Sequence, residues 1–331
     1  MKLLKIEDII KAGNRIEKLI NKTPVYTSTL LNKWMGHQIF FKAECMQKIG
    51  AFKARGAANS IAFLMENGKK PKHIVANSSG NHAQAVAWAA GQFDIPSTIY
   101  MPAYSSKIKI QATQSYGAKT VLCNSRVETD DNVKSAASEE GNYWLHPFNS
   151  ELVICGQGTA AYEAINELGQ VDAVFAPCGG GGLLSGTVIA SHGLNPKTRV
   201  IGAEPLNAND AARSLRANSI LNLDSVPDTF ADGAMTMSVG SITFEYLKKL
   251  DDMYEIDEQF IVYWTQWLTH LFKISIEPTS AMSMEAARQW LKTQKSGKKI
   301  LIIISGGNID QEMQMKIWKE NMLEQLPQLK N

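Results

Sequence analysis

The sequence predicts an α/β protein built on doubly wound, mainly parallel sheets in about two domains. Three observations carry this reading. Short apolar runs that read as buried strands, above all Val171-Asp172-Ala173-Val174-Phe175-Ala176-Pro177 and residues 299–305, alternate with helical patterns along the chain. These runs end in glycine-rich or polar loops that feed into helix starts, which is where open α/β sheets place ligands. The length of 331 residues, 44% of them apolar, suits about two cores at ~150 residues per domain.

In chain order, the first segment with chemical character is Gly50-Ala51-Phe52-Lys53-Ala54-Arg55-Gly56-Ala57. A lysine amine condenses with aldehydes, so Lys53 is a candidate anchor for an aldehyde cofactor; a solvated helix or loop position is the plainer alternative. Residues 73–76 read as a strand, followed by the polar loop Asn77-Ser78-Ser79-Gly80-Asn81-His82-Ala83-Gln84 and an alanine-rich helix over 85–91. Serine hydroxyls and helix-start N–H groups suit a carboxylate, whereas N-capping would explain Ser78 or Ser79 alone. Residues 97–102 and 119–122 read as further strands flanking a helix over 106–116.

The run at 171–177 leads into Cys178-Gly179-Gly180-Gly181-Gly182-Leu183-Leu184-Ser185-Gly186 and a helix over 183–192. A glycine loop between strand and helix lets N–H groups converge on a phosphate, with the helix N-terminus adding favourable partial charge. A simple turn does not need four glycines, because each costs backbone entropy. No Gly-Lys-Ser or Gly-Lys-Thr follows, and no G-x-G-x-x-G pattern with an acidic residue on the next strand, so the phosphate is that of a small cofactor. Residues 200–204 read as a strand entering Gly202-Ala203-Glu204-Pro205-Leu206-Asn207-Ala208-Asn209-Asp210, two acids flanking a turn. The aromatic-rich helix over 261–272 reads as core. Lys299-Ile300-Leu301-Ile302-Ile303-Ile304-Ser305-Gly306-Gly307-Asn308 reads as a central strand with Ser305 at its carboxyl end, and 311–324 reads as one helix.

Taken together, the lysine segment, the asparagine loop, the tetraglycine and the Ser305 strand end resemble the fold-type II pyridoxal-phosphate enzymes. Within them the chain is similar to the serine/threonine dehydratase and serine racemase group, from about Thr23-Pro24-Val25 to Asn308. The resemblance implies a tryptophan synthase β-like fold: a small mobile domain at 66–147 inserted between 1–65 and 148–331 of a large cofactor-binding domain. It implies that Lys53 carries pyridoxal 5'-phosphate with Phe52 beside it. Asn81 contacts the ring hydroxyl, Gly179, Gly180, Gly181, Gly182 and Leu183 hold the phosphate, and Ser305 meets the pyridine nitrogen. A neutral hydroxyl partner leaves that nitrogen largely unprotonated. Glu277, in Ser275-Ile276-Glu277-Pro278, resembles a family acid near the ring, and Ser78, Ser79, Gly80 and His82 grip the substrate carboxylate. Glu204, Asp210 and the Ala208 carbonyl match a family site for Mg²⁺ or Ca²⁺, since hard oxygen ligands suit such ions.

The implied activity is loss of ammonia from L-threonine or L-serine, giving 2-oxobutanoate or pyruvate. Lys53 takes the α-proton and the β-hydroxyl departs. Ser79, matching a racemase serine on the face opposite the lysine, makes two-base racemisation an alternative. Racemases often carry a small-domain arginine, and the matching Thr129-Asp130-Asp131-Asn132 has none. A threo-3-hydroxyaspartate dehydratase is a further alternative. A cysteine-synthase-type β-replacement enzyme would follow its asparagine loop with Asn-Thr-Gly, and a non-catalytic binding protein would be expected to lose Lys53 or the glycine loop.

The formal charge of +2 and the absence of a basic stripe give no sign of a nucleic-acid partner. Acids come too early at the N-terminus for a signal peptide, and no apolar run is long enough to span a membrane. Cys45, Cys123, Cys155 and Cys178 are scattered, as in a reduced cytoplasmic protein. Beyond Asn308 there is no room for a feedback-sensing domain, and the resemblance implies a homodimer.

Overall fold

A computed structural model describes residues 3–329. Its ten strands are β1 (Val25–Thr27), β2 (Gln38–Ala43), β3 (His73–Asn77), β4 (Ser97–Pro102), β5 (Lys119–Cys123), β6 (Asn142–Trp144), β7 (Ala173–Pro177), β8 (Arg199–Pro205), β9 (Asp252–Ile256) and β10 (Lys299–Ile304). They form a six-stranded sheet in the order β1-β2-β10-β7-β8-β9 and a four-stranded sheet in the order β5-β4-β3-β6. Every pairing is parallel except β1 with β2.

Strand β10 explains the larger sheet. Its six residues contain no polar side chain after Lys299 because both faces are covered, as parallel sheets require. Ile300, Ile302 and Ile304 point into one core with Phe41, Phe175 and the helices Glu258–Phe272 and Pro278–Leu291. Leu301 and Ile303 point into the other, with Val174, Ala176 and the helices Glu151–Leu168 and Gly182–Leu194. Successive side chains on a strand alternate in direction, so one apolar run serves two cores.

The helix Lys53–Glu66 lies between the two sheets' helical layers, against both Glu151–Leu168 and Asn81–Gly91. It is buried from Ala54 through Ala62, and small residues let it be covered on nearly every side. Its first residue therefore opens between the two sheets.

The strands read from sequence are present, and β1, β2, β6 and β9 join them. β1 and β6 have only three residues each, too short for a periodic signal. β2 buries Lys42, whose amine donates to Glu163 at 2.8 Å and to the Thr23 carbonyl at 2.8 Å, contacts that local sequence does not announce. The single helix expected over 311–324 is instead a helix, Gln311–Ile317, and a short 3-10 turn, Met322–Glu324. Gln266 Nε2 takes the Ile317 and Glu320 carbonyls at 2.7 Å, and Gln266 Oε1 accepts from Met322 N at 2.9 Å, so a tertiary contact breaks the helix. Among the described residues, no helix is long and apolar enough to cross a membrane.

Candidate active site

The chain ahead of Lys53 is stitched to the end of β10. Ala51 and Gly306 form a β-bridge, and Phe52 N donates to the Ser305 carbonyl at 2.9 Å. Two residues before Ala51, Ile49 holds φ at +61°, a left-handed conformation that is costly for a β-branched residue. Asn308 Nδ2 donates to its carbonyl at 2.7 Å and so braces the strained turn. This places the root of Lys53 beside Ser305. The amine donates to the Pro147 carbonyl at 2.8 Å and lies 5.1 Å from the Phe52 ring centroid. Burial lowers its pKa to about 8, with Glu277 pulling the other way.

Pro147 joins the lysine to the glycine loop, because the next residue, Phe148, forms the loop's wall. A Cβ on Gly180 would sit 2.3 Å from the Phe148 ring, one on Gly182 would sit 2.5 Å from Gln157 Oε1, and one on Gly179 would sit 3.0 Å from the Gly233 carbonyl. Gly181 takes φ +88°, which glycine adopts without penalty. Thr243 Oγ1 donates to the Gly180 carbonyl at 2.8 Å, turning that oxygen out of the loop. The loop then enters Gly182–Leu194, where the N–H groups of the first turn, including Leu183, have no intrahelical acceptor.

Gln157 tests whether a phosphate suits this place. It is fully buried, and neither its amide oxygen nor its amide nitrogen has a partner among the described residues. Thr236 Oγ1, near Gly179, is buried and unpartnered in the same way. Such groups are costly unless something satisfies them. Free helix-start N–H groups, side-chain-free backbone and two orphaned polar groups fit the phosphate of a small cofactor.

The polar loop after β3 lies across from these elements. The helix Asn81–Gly91 has no side-chain cap, so the serines are not spent on capping: Ser78 Oγ accepts from Gly80 N at 3.1 Å, and Ser79 is exposed. His82 is turned away. Its Nε2 lies 2.8 Å from the Leu145 carbonyl, and burial pushes its pKa down to about 3, so the ring is neutral and donates there. Ser78, Ser79 and Gly80 form the loop's edge while the His82 ring braces it from behind.

Asn81, Glu277 and Ser305 form one network. Asn81 Nδ2 donates to Glu277 Oε2 at 2.8 Å, Ser305 Oγ donates to Glu277 Oε1 at 3.0 Å, and Asn308 Nδ2 donates to Asn81 Oδ1 at 2.8 Å. Glu277 and Ser305 are buried. Burial, followed by Asp232, raises the Glu277 carboxyl to about 7. Two cations cross from the helices of the smaller sheet: Lys109 pairs with Asp232, and Arg126 Nη1 donates to the Met235 carbonyl at 2.6 Å. A Cβ on Gly80 would lie 3.8 Å from the Lys109 side chain.

Phe148, Gln157, Lys109 and Asp232 escaped the sequence reading, because no local pattern marks a residue that joins the site only through tertiary packing. Asn308 was within reach, since it closes the same strand-end motif as Ser305.

Glu204 and Asp210 come together near Cys178, whose thiol senses both. Both are buried. Glu204 accepts from Ala212 N at 2.6 Å and Ala211 N at 3.1 Å, while Asp210 Oδ2 is buried without a partner. Burial and their mutual proximity push Glu204 well above the usual carboxylate range, and burial takes Asp210 to about 7. Two buried acids with an orphaned oxygen are a donor set that suits a hard divalent cation. Among the described residues, no three His, Cys, Asp or Glu side chains cluster as a metal site.

Residues 16–306 match the family described as pyridoxal-phosphate dependent enzyme. The chain belongs to that family, with the fold-type II architecture. An L-threo-3-hydroxyaspartate ammonia-lyase of Saccharomyces cerevisiae is 41% identical over 92% of this chain and 93% of its own. A serine racemase of Schizosaccharomyces pombe is 41% identical over 92% of this chain and 94% of its own. The structure is similar to threonine deaminase isoform 2 from Solanum lycopersicum, with a TM-score of 0.88 and 28% identity over 95% of this chain and 86% of that one. The family thus gives a pyridoxal-phosphate enzyme of the ammonia-lyase and racemase group, and its named members divide over the substrate.

Proposed function

We propose that this enzyme removes ammonia from β-hydroxy amino acids, giving a 2-oxoacid; L-serine, L-threonine and threo-3-hydroxyaspartate are the candidate substrates. The observation that carries this reading is Lys53: a buried amine near pKa 8, set between the glycine loop and the Asn81–Glu277–Ser305 network. Pyridoxal phosphate, when bound, supplies a conjugated ring that spreads the negative charge left at the substrate α-carbon.

The chain's own residues do the rest. The N–H groups of Gly179 to Leu183, with Gln157, hold the phosphate. Asn81 faces the ring hydroxyl and Ser305 the ring nitrogen, with Phe52 beside the lysine. Ser78, Ser79 and Gly80 hold the substrate carboxylate. Lys53 is the base for the α-proton: at pH 7 roughly a tenth of amines with pKa 8 are free, far more than for an ordinary lysine. The small domain, 66–147, closes over the cleft and excludes water from the reacting carbon. Glu204, Asp210 and the Ala208 carbonyl hold Mg²⁺ or Ca²⁺. The protein works as a cytoplasmic homodimer.

A second reading is serine racemisation, favoured by Ser79 at the edge of the carboxylate loop. Arg126 is the nearest arginine to the stretch where racemases carry one, and it is engaged with the Met235 carbonyl. A panel of L-Ser, D-Ser, L-Thr and threo-3-hydroxyaspartate, followed for 2-oxoacid release and separately for D-serine, tests both. Release of 2-oxoacid supports the lyase, and D-serine formation lost in Ser79→Ala with elimination retained supports the racemase. No turnover of any member overturns both.

A further inference from the structure

The hydrogen bonds around Ser305 leave few ways to place the protons. Asn308 Nδ2 donates to Asn81 Oδ1 at 2.8 Å, which turns the Asn81 amide so that its Nδ2 donates to Glu277 Oε2 at 2.8 Å. Oε2 is therefore an acceptor, and a proton on this acid sits on Oε1. That oxygen is 3.0 Å from Ser305 Oγ. Ser280 stands on the other side of Ser305, also at 3.0 Å. It accepts from Gly306 N at 3.0 Å and donates its one proton to the Gly306 carbonyl at 3.0 Å, so toward Ser305 it can only accept. Glu277 is thus the one ionisable partner of the Ser305 hydroxyl among the described residues. The carboxyl reaches it because residue 306 has no side chain; a Cβ there would lie 2.7 Å from both Glu277 oxygens.

We propose that Ser305 relays a proton between Glu277 and the ring nitrogen of the cofactor. The proposal rests on the reading that Ser305 faces that nitrogen. With Glu277 protonated, Oε1 gives its proton to Ser305 Oγ while Ser305 gives its own to the nitrogen lone pair. Two O–H bonds break, one O–H and one N–H form, and the pair ends as carboxylate and protonated ring. The reverse transfer restores the start. A ring that shares a proton with Glu277 in this way is a stronger electron sink than one held unprotonated, which a serine alone does not provide.

The surroundings suit such an exchange. Burial and Asp232 raise the Glu277 carboxyl to about 7, against the pull of Asn81, Lys109 and Ser305, so that near neutral pH it both holds and releases a proton. Lys53, on the facing helix, also senses Glu277, as does the Cys45 thiol, which burial pushes up to about 12 and so keeps protonated.

The test is the nitrogen chemical shift of the holoenzyme loaded with pyridoxal phosphate carrying ¹⁵N in the ring, measured from pH 6 to 9 in this protein, Glu277→Gln, Ser305→Ala and Ser305→Thr. The unaltered protein and Ser305→Thr, which keeps the hydroxyl, are expected to show a shift between the protonated and unprotonated limits that moves with pH. Glu277→Gln and Ser305→Ala are expected to stay at the unprotonated limit throughout. An unaltered protein held at that limit at every pH overturns the relay, as does a Ser305→Ala protein that still moves with pH. If Glu277→Gln does not hold cofactor, the two Ser305 variants decide. Failure of the unaltered protein to bind the cofactor at all would instead refute the proposed function.

Discussion

Phe148 lies so close to Gly180 that a methyl group on the glycine would sit 2.3 Å from its ring. The ring and the glycine loop are therefore shaped against each other. Gly180→Ala is expected to cost about 1–3 kcal/mol of stability, the usual range for overpacking a filled site, and to weaken cofactor binding. Phe148→Leu makes room, so the double variant should recover stability relative to Gly180→Ala alone in urea unfolding. If the second change brings no recovery, the contact is not what requires glycine.

Beneath the lysine helix, Arg55 is fully buried and donates to Glu44 through Nε at 2.7 Å and Nη2 at 2.8 Å, and to Glu163 through Nη1 at 2.7 Å and Nη2 at 2.8 Å. Charge pairing of this kind is costly to break from one side, because the remaining charge stays buried. Arg55→Met is expected to destabilise the protein by about 3–5 kcal/mol, which thermal or urea unfolding will measure. Arg55 follows Lys53 by two residues on the same helix, so cofactor attachment should weaken in parallel. A change under 1 kcal/mol would make the pair incidental to the fold.

For the acidic pair, Mg²⁺ or Ca²⁺ should raise the melting temperature of the unaltered protein, since a ligand that binds only the folded state stabilises it. Asp210→Asn removes a buried carboxylate with an unpartnered oxygen. It should melt higher than the unaltered protein in chelator and fail to respond to either ion. Equal response in both proteins would place the cation elsewhere.

The elements that could be read from the sequence were those whose signal is local. β10 and β7 carry unbroken apolar runs because both faces are covered, and the four glycines announce their loop through backbone chemistry alone. Lys53 and Ser305 could be named as partners only through resemblance; what physically joins them is the Ala51–Gly306 bridge and the Phe52–Ser305 hydrogen bond. His82 shows the limit of a motif. It occupies the expected position, but the imidazole bonds to Leu145, 63 residues away, and no pattern within the loop encodes that turn. Nothing local marks Glu277, an acid before a proline, as buried; only the resemblance sets it near the ring. It is buried because Asn81 and Ser305 converge on it from elements 196 and 28 residues distant.

The proposed chemistry begins at the Lys53 amine, and borohydride trapping tests that amine directly. Apoprotein mixed with pyridoxal phosphate and reduced should gain one phosphopyridoxyl group on the peptide carrying Lys53, and Lys53→Ala should gain none. The amine must be unprotonated to react. Because burial depresses its pKa from 10.5 to about 8, the rate of attachment should rise with pH and level off just above 8. The same shift means that the folded apoprotein binds fewer protons than the unfolded chain between about 8 and 10.5, so its stability should rise with pH over that interval. Attachment confined to Lys53, with that profile, is the expected result; attachment at other lysines with position 53 unmodified would contradict the account.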